Sequence, residues 1–216
     1  ADVDVAIYEV GLGGRLDATN AIDPDVSVIT TIGYDHQKYL GDTLEEISAE
    51  KFAISRPDVP LIVGQQEHAA AATFAQTFEG ASDTYLFGES FDRTKASLHL
   101  PRHDIPMPSW GRLLAPYQRD HFACAAMAAQ AWLDRKKMGS VEPAMIHRAA
   151  MHWRWPGRLD RRSLLIGGEH PTQVFLDAAH NPDGARSLAS HLKANPLDAP
   201  ITSVLFGAMK DKDIPH

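Results

Sequence analysis

The sequence lacks three features that would place it in a specialised class of protein. Its 216 residues contain one cysteine, Cys124, so an intrachain disulfide is excluded and a reducing compartment, the cytoplasm, is expected. No apolar run approaches the roughly 18 residues that a membrane span needs. Basic residues number 21 against 28 acidic ones, which argues against a nucleic-acid backbone as partner. Hydrophobic residues make up 44%, which is sufficient for a packed core.

Apolar runs and helical patterns alternate along the chain, which predicts an α/β fold with a mostly parallel sheet. The predicted buried strands are Val3–Val10, Val26–Ile32, Pro60–Val63, Ser163–Ile166, Gln173–Asp177 and Ile201–Phe206. The predicted helices are Thr43–Arg56, Gln66–Phe78, Asp120–Met138, Val141–Trp153 and Pro182–Ala194. Proline-containing short strands predict a β excursion near residues 84–110. The rigid turn at residues 155–158 predicts a hinge between residues 1–154 and residues 159–216.

The segment Glu9–Asn20, which reads EVGLGGRLDATN, is the most informative one in the chain. Glycine lets the backbone approach a ligand closely and accepts positive φ without strain. Open α/β sheets bind ligands beyond the carboxyl ends of their strands. Glu9, at the end of the first predicted strand, is therefore a candidate metal or substrate residue. Asp35 and His36 end the next strand, on the same predicted edge, although an ordinary surface histidine is the simpler alternative for His36.

Lys51 falls on the apolar stripe of its predicted helix, together with Leu44, Ile47 and Ile54. Two interpretations remain open for a lysine in this position. Its stem could pack inside while the ammonium reaches water. Alternatively, burial could lower the pKa of the amine, and a neutral amine can take up carbon dioxide as a carbamate.

Two further polar segments follow predicted strands. Asp177, His180 and Asn181 crowd the turn before the helix Pro182–Ala194, and helix capping by Asn181 would leave the other two unexplained. The segment Gly207–Asp213 is either a solvated loop or a functional one.

In this order, the segments resemble the folylpolyglutamate synthase/dihydrofolate synthase family of the Mur ligase superfamily. Glu9–Asn20 is similar to the family signature throughout. The other matching motifs are Ile32–His36, Leu40–Leu44, Glu50–Lys51, Trp155–Arg158, Asp177–Gly184 and Gly207–Asp213. The resemblance spans nearly the whole chain. It implies an α/β fold with part of a central ATPase domain in residues 1–154, followed by the start of a Rossmann-like C-terminal domain in residues 159–216.

The resemblance implies an ATP-dependent ligase that joins L-glutamate to dihydropteroate or to the glutamate tail of a folate. ATP would convert the acceptor carboxylate to an acyl phosphate, which the glutamate amine then attacks. The implied cofactors are ATP, Mg²⁺ at two sites and a monovalent cation. The implied partners are small-molecule substrates, with no nucleic acid and no membrane. A cytoplasmic monomer of folate biosynthesis is expected.

The resemblance also implies roles for individual residues. Glu9 matches a ligand of one Mg²⁺ and His36 the ligand of a second, and His36 is also a candidate catalytic residue. Lys51, the other candidate catalytic residue, matches a lysine carried as a carbamate near the metals. The residues implied to bind ATP are Arg158, Asp177, His180 and His121, the last in place of an asparagine that contacts adenine. The residues implied on the folate or dihydropteroate side are Arg15, Asp17 and Asn20.

The chain departs from the family pattern in three places. It contains no G-x-x-x-x-G-K-[ST] loop, so it is expected to be an internal fragment, lacking that loop and the C-terminal end, and inactive by itself. Phe52 and Ala53 replace the usual alanine and glycine after Lys51. His121 is the third departure.

Three alternatives stay open at this point. Another Mur-superfamily amino-acid ligase is disfavoured by the intact signature. A dinucleotide-binding oxidoreductase using Gly11 and Gly13 is disfavoured because Leu16 occupies the third glycine position. A non-catalytic remnant that binds partners is the last alternative.

Overall fold

The computed structural model describes residues 3–81, 83–107, 109–111, 115–165, 167, 171–195, 201 and 203–207. The chain divides into two compact units. The first comprises residues 1–108 and 120–146, and the second comprises residues 109–119 and 147–216. Among the described helices, none combines the length and the apolar character that crossing a membrane requires.

A three-stranded parallel sheet forms the centre of the first unit. Its strands are β1 (Ser27–Ile29), β2 (Leu61–Val63) and β3 (Thr84–Leu86), in the order β1-β2-β3. All three residues of β2 are buried, as expected for a strand covered on both faces. The predicted α/β fold with a parallel sheet is therefore confirmed, and β3 belongs to this sheet although it begins the region predicted as a β excursion.

Three helices and a 3₁₀ turn belong to the same unit. They are the 3₁₀ turn Ala18–Ala21 and the helices α1 (Gln37–Leu40), α2 (Leu44–Phe52) and α3 (Ala69–Thr77). The predicted capping box is confirmed, because the Thr43 hydroxyl accepts from the Glu46 amide and the Glu46 carboxylate accepts from the Thr43 amide, both at 3.2 Å. Phe52, 1% exposed, packs on Phe74 and Phe78 at ring-centroid distances of 5.2 and 4.8 Å.

The predicted β excursion contains an antiparallel sheet, and two helices follow it. The strands are β4 (Asp92–Arg93), β5 (Ser97–Leu100) and β6 (His103–Pro106), and the helices are α4 (Pro116–Lys136) and α5 (Pro143–His152). Helix α4 begins before the predicted Asp120, because Pro116 suits the first turn, where no amide donor is needed.

The second unit contains a two-stranded antiparallel sheet and a helix. They are β7 (Asp160–Leu164), β8 (Thr172–Leu176) and α6 (Pro182–Ala194). Asn181 caps α6, since its side chain accepts from the Gly184 amide at 2.8 Å. The predicted bounds of this helix and its cap are confirmed.

Two predicted strands are wrong. Residues 3–10 form no strand, and their apolar side chains are exposed except for the half-buried Val10, with Ile7 at 94%. The described residues of Ile201–Phe206 also lie outside any strand and are exposed. An apolar run indicates a tendency to be buried, but a strand also needs a neighbour for its amides and carbonyls, and no described strand pairs with either segment. Glu9 consequently does not end a strand beside Asp35 and His36.

The Phe52 cluster should determine much of the stability of the first unit. We expect Phe52→Ala to lower the free energy of unfolding by about 3–5 kcal/mol, because it leaves a cavity beside two aromatic rings. Urea unfolding of the chain measures this loss. Tyr39→Ala is the control, since Tyr39 is an exposed aromatic residue on α1 and should cost less than about 1 kcal/mol. Equal losses for both variants would contradict the assignment of Phe52 to the core.

Candidate functional site

Asp17 holds together residues 11–22, called here the glycine-rich loop, through hydrogen bonds to the loop's own backbone and to Thr19. Its Oδ2 accepts from the amides of Gly11 and Leu12 at 3.0 and 3.1 Å, and its Oδ1 accepts from the Thr19 amide at 2.9 Å and the Thr19 hydroxyl at 2.6 Å. The hydrogen bonds of Thr19, chiefly that of its hydroxyl, lower the pKa of Asp17 to about 2. The loop conformation therefore depends on an ionised Asp17.

The same loop docks directly on the backbone of α2. Gly14 is buried, and a Cβ atom there would approach the carbonyl oxygens of Glu50 and Lys51 to 2.7 and 3.0 Å. The Arg15 amide donates to the Glu50 carbonyl at 3.0 Å, and Arg15 Nε donates to Glu50 Oε1 at 2.8 Å. Only glycine permits this approach, and it brings the loop against the turn that carries Lys51.

Asn20 makes a second connection between the loop and the end of α2. Its Nδ2 donates to the carbonyls of Arg15 and Ala53 at 3.1 and 3.4 Å. Its Oδ1 accepts from Arg56 Nη2 at 2.9 Å. Sequence reasoning missed Arg56, although a cation just after a helix, where carbonyls lack partners, is a recognisable signal.

Lys51 is half-buried on α2, and its backbone carbonyl lies beside Gly14 of the loop. Burial lowers the pKa of its amine, and the negative charge of Asp35 opposes this shift. Phe52 points into the aromatic cluster and leaves Lys51 on a different face of the helix. The neutral amine is thus favoured more strongly than in an exposed lysine.

Asp35 also contacts His36. The His36 amide donates to Asp35 Oδ1 at 2.8 Å, and His36 Nε2 lies 3.8 Å from the same oxygen. His36 has a φ of 53°, which a non-glycine residue adopts at a cost that functional sites often carry. Glu9 is exposed, and within the described part of the chain no three His, Cys, Asp or Glu side chains gather as a metal site.

In the second unit, Asp177 joins two turns. Its Oδ2 accepts from the Leu159 amide and its Oδ1 from the Ala179 amide, both at 2.9 Å. Leu159 is buried with a φ of 51°, and the hydrogen bond to Asp177 holds it there. The neighbouring Arg158 guanidinium lies 5.7 Å from the centre of the Trp155 ring. The predicted ATP-binding residues Arg158 and Asp177 therefore belong to one cluster.

His180 and His121, the other two predicted ATP-binding residues, and the nearby Gln118 have the following positions. His180 Nδ1 donates to the Ala178 carbonyl at 2.9 Å. Gln118, 2% exposed, donates to the Arg158 carbonyl at 3.4 Å, and sequence reasoning missed it. His121 belongs to the first unit, on α4. The segment Ala208–Asp213 lies outside the described residues.

Known proteins resemble this chain in sequence and in structure. It is 33% identical to the dihydrofolate synthase/folylpolyglutamate synthase of Bacillus subtilis, over 97% of this chain and 49% of that protein. It is also 33% identical to the folylpolyglutamate synthase of Lacticaseibacillus casei, over 98% of this chain and 49% of that protein. A solved folylpolyglutamate synthase complex with AMPPCP and folate superposes with a TM-score of 0.77 at 30% identity, over 92% of this chain and 48% of that one. No model of a protein family matches the chain.

The chain belongs to the folylpolyglutamate synthase/dihydrofolate synthase family. It spans about half the length of the curated relatives it matches. Membership agrees with the mixed α/β fold and parallel sheet of the Mur ligase type. Within this family fold, the glycine-rich loop, α2 and Asp35 form one cluster in the first unit, and Arg158, Asp177 and Gln118 form another in the second.

The Asp17 hydrogen bonds predict a specific sensitivity to acid. The folded-state pKa of about 2 lies below the ordinary value of 3.8, so ionised Asp17 stabilises the fold at higher pH. This contribution is complete above about pH 4 and is lost as the pH falls toward 2. Asp17→Asn should therefore be less stable than the parent chain at pH 6, with a smaller difference at pH 2. Urea unfolding across this range measures the difference, and Asp4→Asn, at an exposed position, is the control. If the free energies of unfolding of Asp17→Asn and the parent chain differed by the same amount at pH 6 and pH 2, the prediction would be contradicted.

Proposed function

We propose that this chain is part of an ATP-dependent ligase that joins L-glutamate to dihydropteroate or to the glutamate tail of a folate. The structural observation that carries the proposal is the docking of Gly14 on the backbone of Glu50 and Lys51. This contact joins the loop proposed to face the pterin-containing substrate to the lysine proposed to act in catalysis. The names of the relatives support the same activity.

The proposed reaction has two steps. The acceptor carboxylate attacks the γ-phosphorus of ATP, which forms an acyl phosphate and releases ADP. The glutamate amine then attacks the acyl carbon, forms the amide and releases phosphate, while the amine loses a proton. Such transfers depend mainly on positioning and on neutralising phosphate charge.

The second unit carries the proposed ATP contacts of Arg158, Asp177 and His180, and His121 is proposed to contribute from α4. The cation–π contact with the Trp155 ring restrains the Arg158 guanidinium, which favours a fixed contact with an anion. Both carboxylate oxygens of Asp177 accept hydrogen bonds from backbone amides. Asp177 therefore holds the turn that carries Arg158 in place before ATP binds. Residues 1–154 and 159–216 are proposed as separate domains joined at residues 155–158.

Glu9 is proposed as a ligand of one Mg²⁺ and His36 as the ligand of a second. Glu9 offers the oxygen ligand that this hard ion prefers, whereas His36 is a less usual ligand. Mg²⁺ commonly binds through one or two carboxylates together with water and substrate phosphates, so a single carboxylate such as that of Glu9 is compatible with a site. When bound, the ions would neutralise phosphate charge. A monovalent cation is also proposed.

Arg15, Asp17 and Asn20 are proposed on the folate or dihydropteroate side. Their hydrogen bonds within the loop and to α2 indicate how such a surface is kept rigid before a substrate arrives. The whole enzyme is proposed to be a cytoplasmic monomer that acts on small molecules and not on nucleic acid or membranes.

A chimera tests the proposed activity. This chain replaces the matched segment of the L. casei folylpolyglutamate synthase, and we expect glutamate-dependent ADP formation. Glu9→Gln should lower this rate by about 100-fold or more, because it removes a charge from the proposed metal site. Glu45→Gln, at an exposed position on α2, is the control and should have little effect.

The 216-residue chain alone is the second arm of this experiment. It should release no phosphate from ATP, since it contains no phosphate-loop lysine. Glutamate-dependent phosphate release by the chain alone would contradict this expectation. A folded chimera without glutamate-dependent turnover would contradict the proposed function.

Lys51 is expected to carry a carbamate. Burial disfavours its ammonium form, and the neutral amine can add carbon dioxide and lose a proton. Carbon-13 NMR of the chimera with Mg²⁺ in ¹³C-bicarbonate at mildly alkaline pH should show a carbamate carbon that Lys51→Met removes. Lys38→Met, at an exposed lysine, should retain the signal. A parent chimera without this signal would rule the carbamate out.

A further inference from the structure

The guanidinium of Arg56 joins two separate segments of the first unit. Its Nη1 donates to the carbonyls of Ala53, Ile54 and Ser55 at 3.4, 3.2 and 3.1 Å. Its Nη2 donates to the backbone oxygen and the Oδ1 of Asn20 at 2.7 and 2.9 Å. One side chain thus serves both the end of α2 and the 3₁₀ turn of the glycine-rich loop.

The end of α2 needs such a donor. The last carbonyls of a helix have no partners within the helix, and a left-handed glycine or asparagine often closes this gap. Here Ala53 follows the helix in the right-handed conformation, with φ −64°. Backbone and side-chain donors share this task. The Ser55 amide and hydroxyl both donate to the Phe52 carbonyl, at 3.0 and 2.7 Å, and Arg56 serves the carbonyls that follow the helix.

Asn20 links Arg56 to the rest of the glycine-rich loop through hydrogen bonds. Its amide donates to the Asp17 carbonyl at 3.0 Å, and its Nδ2 donates to the Arg15 carbonyl at 3.1 Å. The position of Arg56 therefore affects the residues that face the proposed substrate. It also affects the last turn of α2, which carries Lys51.

We propose that Arg56 is a positioning residue, which fixes the glycine-rich loop relative to Lys51 for the reaction proposed above. The inference rests on that proposed function for its catalytic consequence, but not for its structural one. A planar guanidinium presents five donors in a fixed fork and can serve both segments, whereas a lysine ammonium is a single point of charge. Arg56→Lys should therefore preserve contact with only one of the two segments.

Hydrogen exchange measured by mass spectrometry tests the structural part on the 216-residue chain without ligands. Arg56→Gln should speed amide exchange about tenfold both in residues 11–22 and in residues 50–56. Arg56→Lys should speed exchange in one of these segments. Arg135→Gln is the matched control, because Arg135 also donates to a backbone carbonyl, that of Asp58 at 2.6 Å, and pairs with Asp25 at 3.4 Å, both outside the two measured segments. If Arg56→Gln speeds exchange only in residues 50–56, Arg56 is no more than a helix cap and the proposal is overturned. The proposal is also overturned if Arg135→Gln speeds exchange in both segments as much as Arg56→Gln does.

Asn20→Ala provides an independent variant should Arg56→Gln fail to fold. It removes the side-chain partner of Arg56 and should speed exchange in residues 11–22, with a smaller effect in residues 50–56. Unchanged loop exchange in Asn20→Ala would overturn the proposal.

The catalytic consequence is measured in the chimera. Arg56→Gln should lower kcat for glutamate addition by about tenfold or more while the KM for ATP changes little, and Arg135→Gln should leave both unchanged. An unchanged kcat in Arg56→Gln would overturn the positioning role. A parent chimera without activity would count against the proposed function, and the exchange result would still decide the role of Arg56.

Discussion

The close approach of Gly14 to the backbone of α2 is the constraint on which the first unit's candidate site depends. A Cβ atom added to Gly14 would lie 2.7 Å from the Glu50 carbonyl oxygen, which leaves no space for a side chain. The Arg15–Glu50 ion pair lies on the surface and would contribute little alone. The ion pair adds to the contact because the Gly14 approach has already fixed the distance between Arg15 and Glu50. Loop and helix therefore act as one body in this region.

Both units use a carboxylate to hold backbone amides. Asp17 accepts from Gly11 and Leu12 on one oxygen, and Asp177 accepts from Leu159 and Ala179 on its two oxygens. An ionised carboxylate is well suited to this task, because it offers several acceptor positions and forms strong hydrogen bonds with amides. The acidic residues of the two motifs thus have a conformational role that precedes any contact with a ligand.

The features that sequence predicted well are those with local causes. The Thr43 capping box and the Asn181 cap each involve residues three apart, so the pattern contains the whole interaction. The strand predicted at Val3–Val10 failed because pairing with a distant segment cannot be inferred from an apolar run. The Arg56–Asn20 contact was missed for a similar reason, since the two residues lie 36 positions apart without any periodic pattern between them.

Lys51 shows how the site combines local and distant causes. Its place on α2 follows from the helical period, but its electrostatic state depends on the burial supplied by the fold and on Asp35 in another segment. The two act in opposite directions, and burial is the larger, so the amine is driven toward neutrality beside a carboxylate. A carbamate would reverse the charge of Lys51 and place two anionic groups near each other. That arrangement is favourable only when cations are close, which makes the proposed modification and the proposed Mg²⁺ sites parts of the same electrostatic balance.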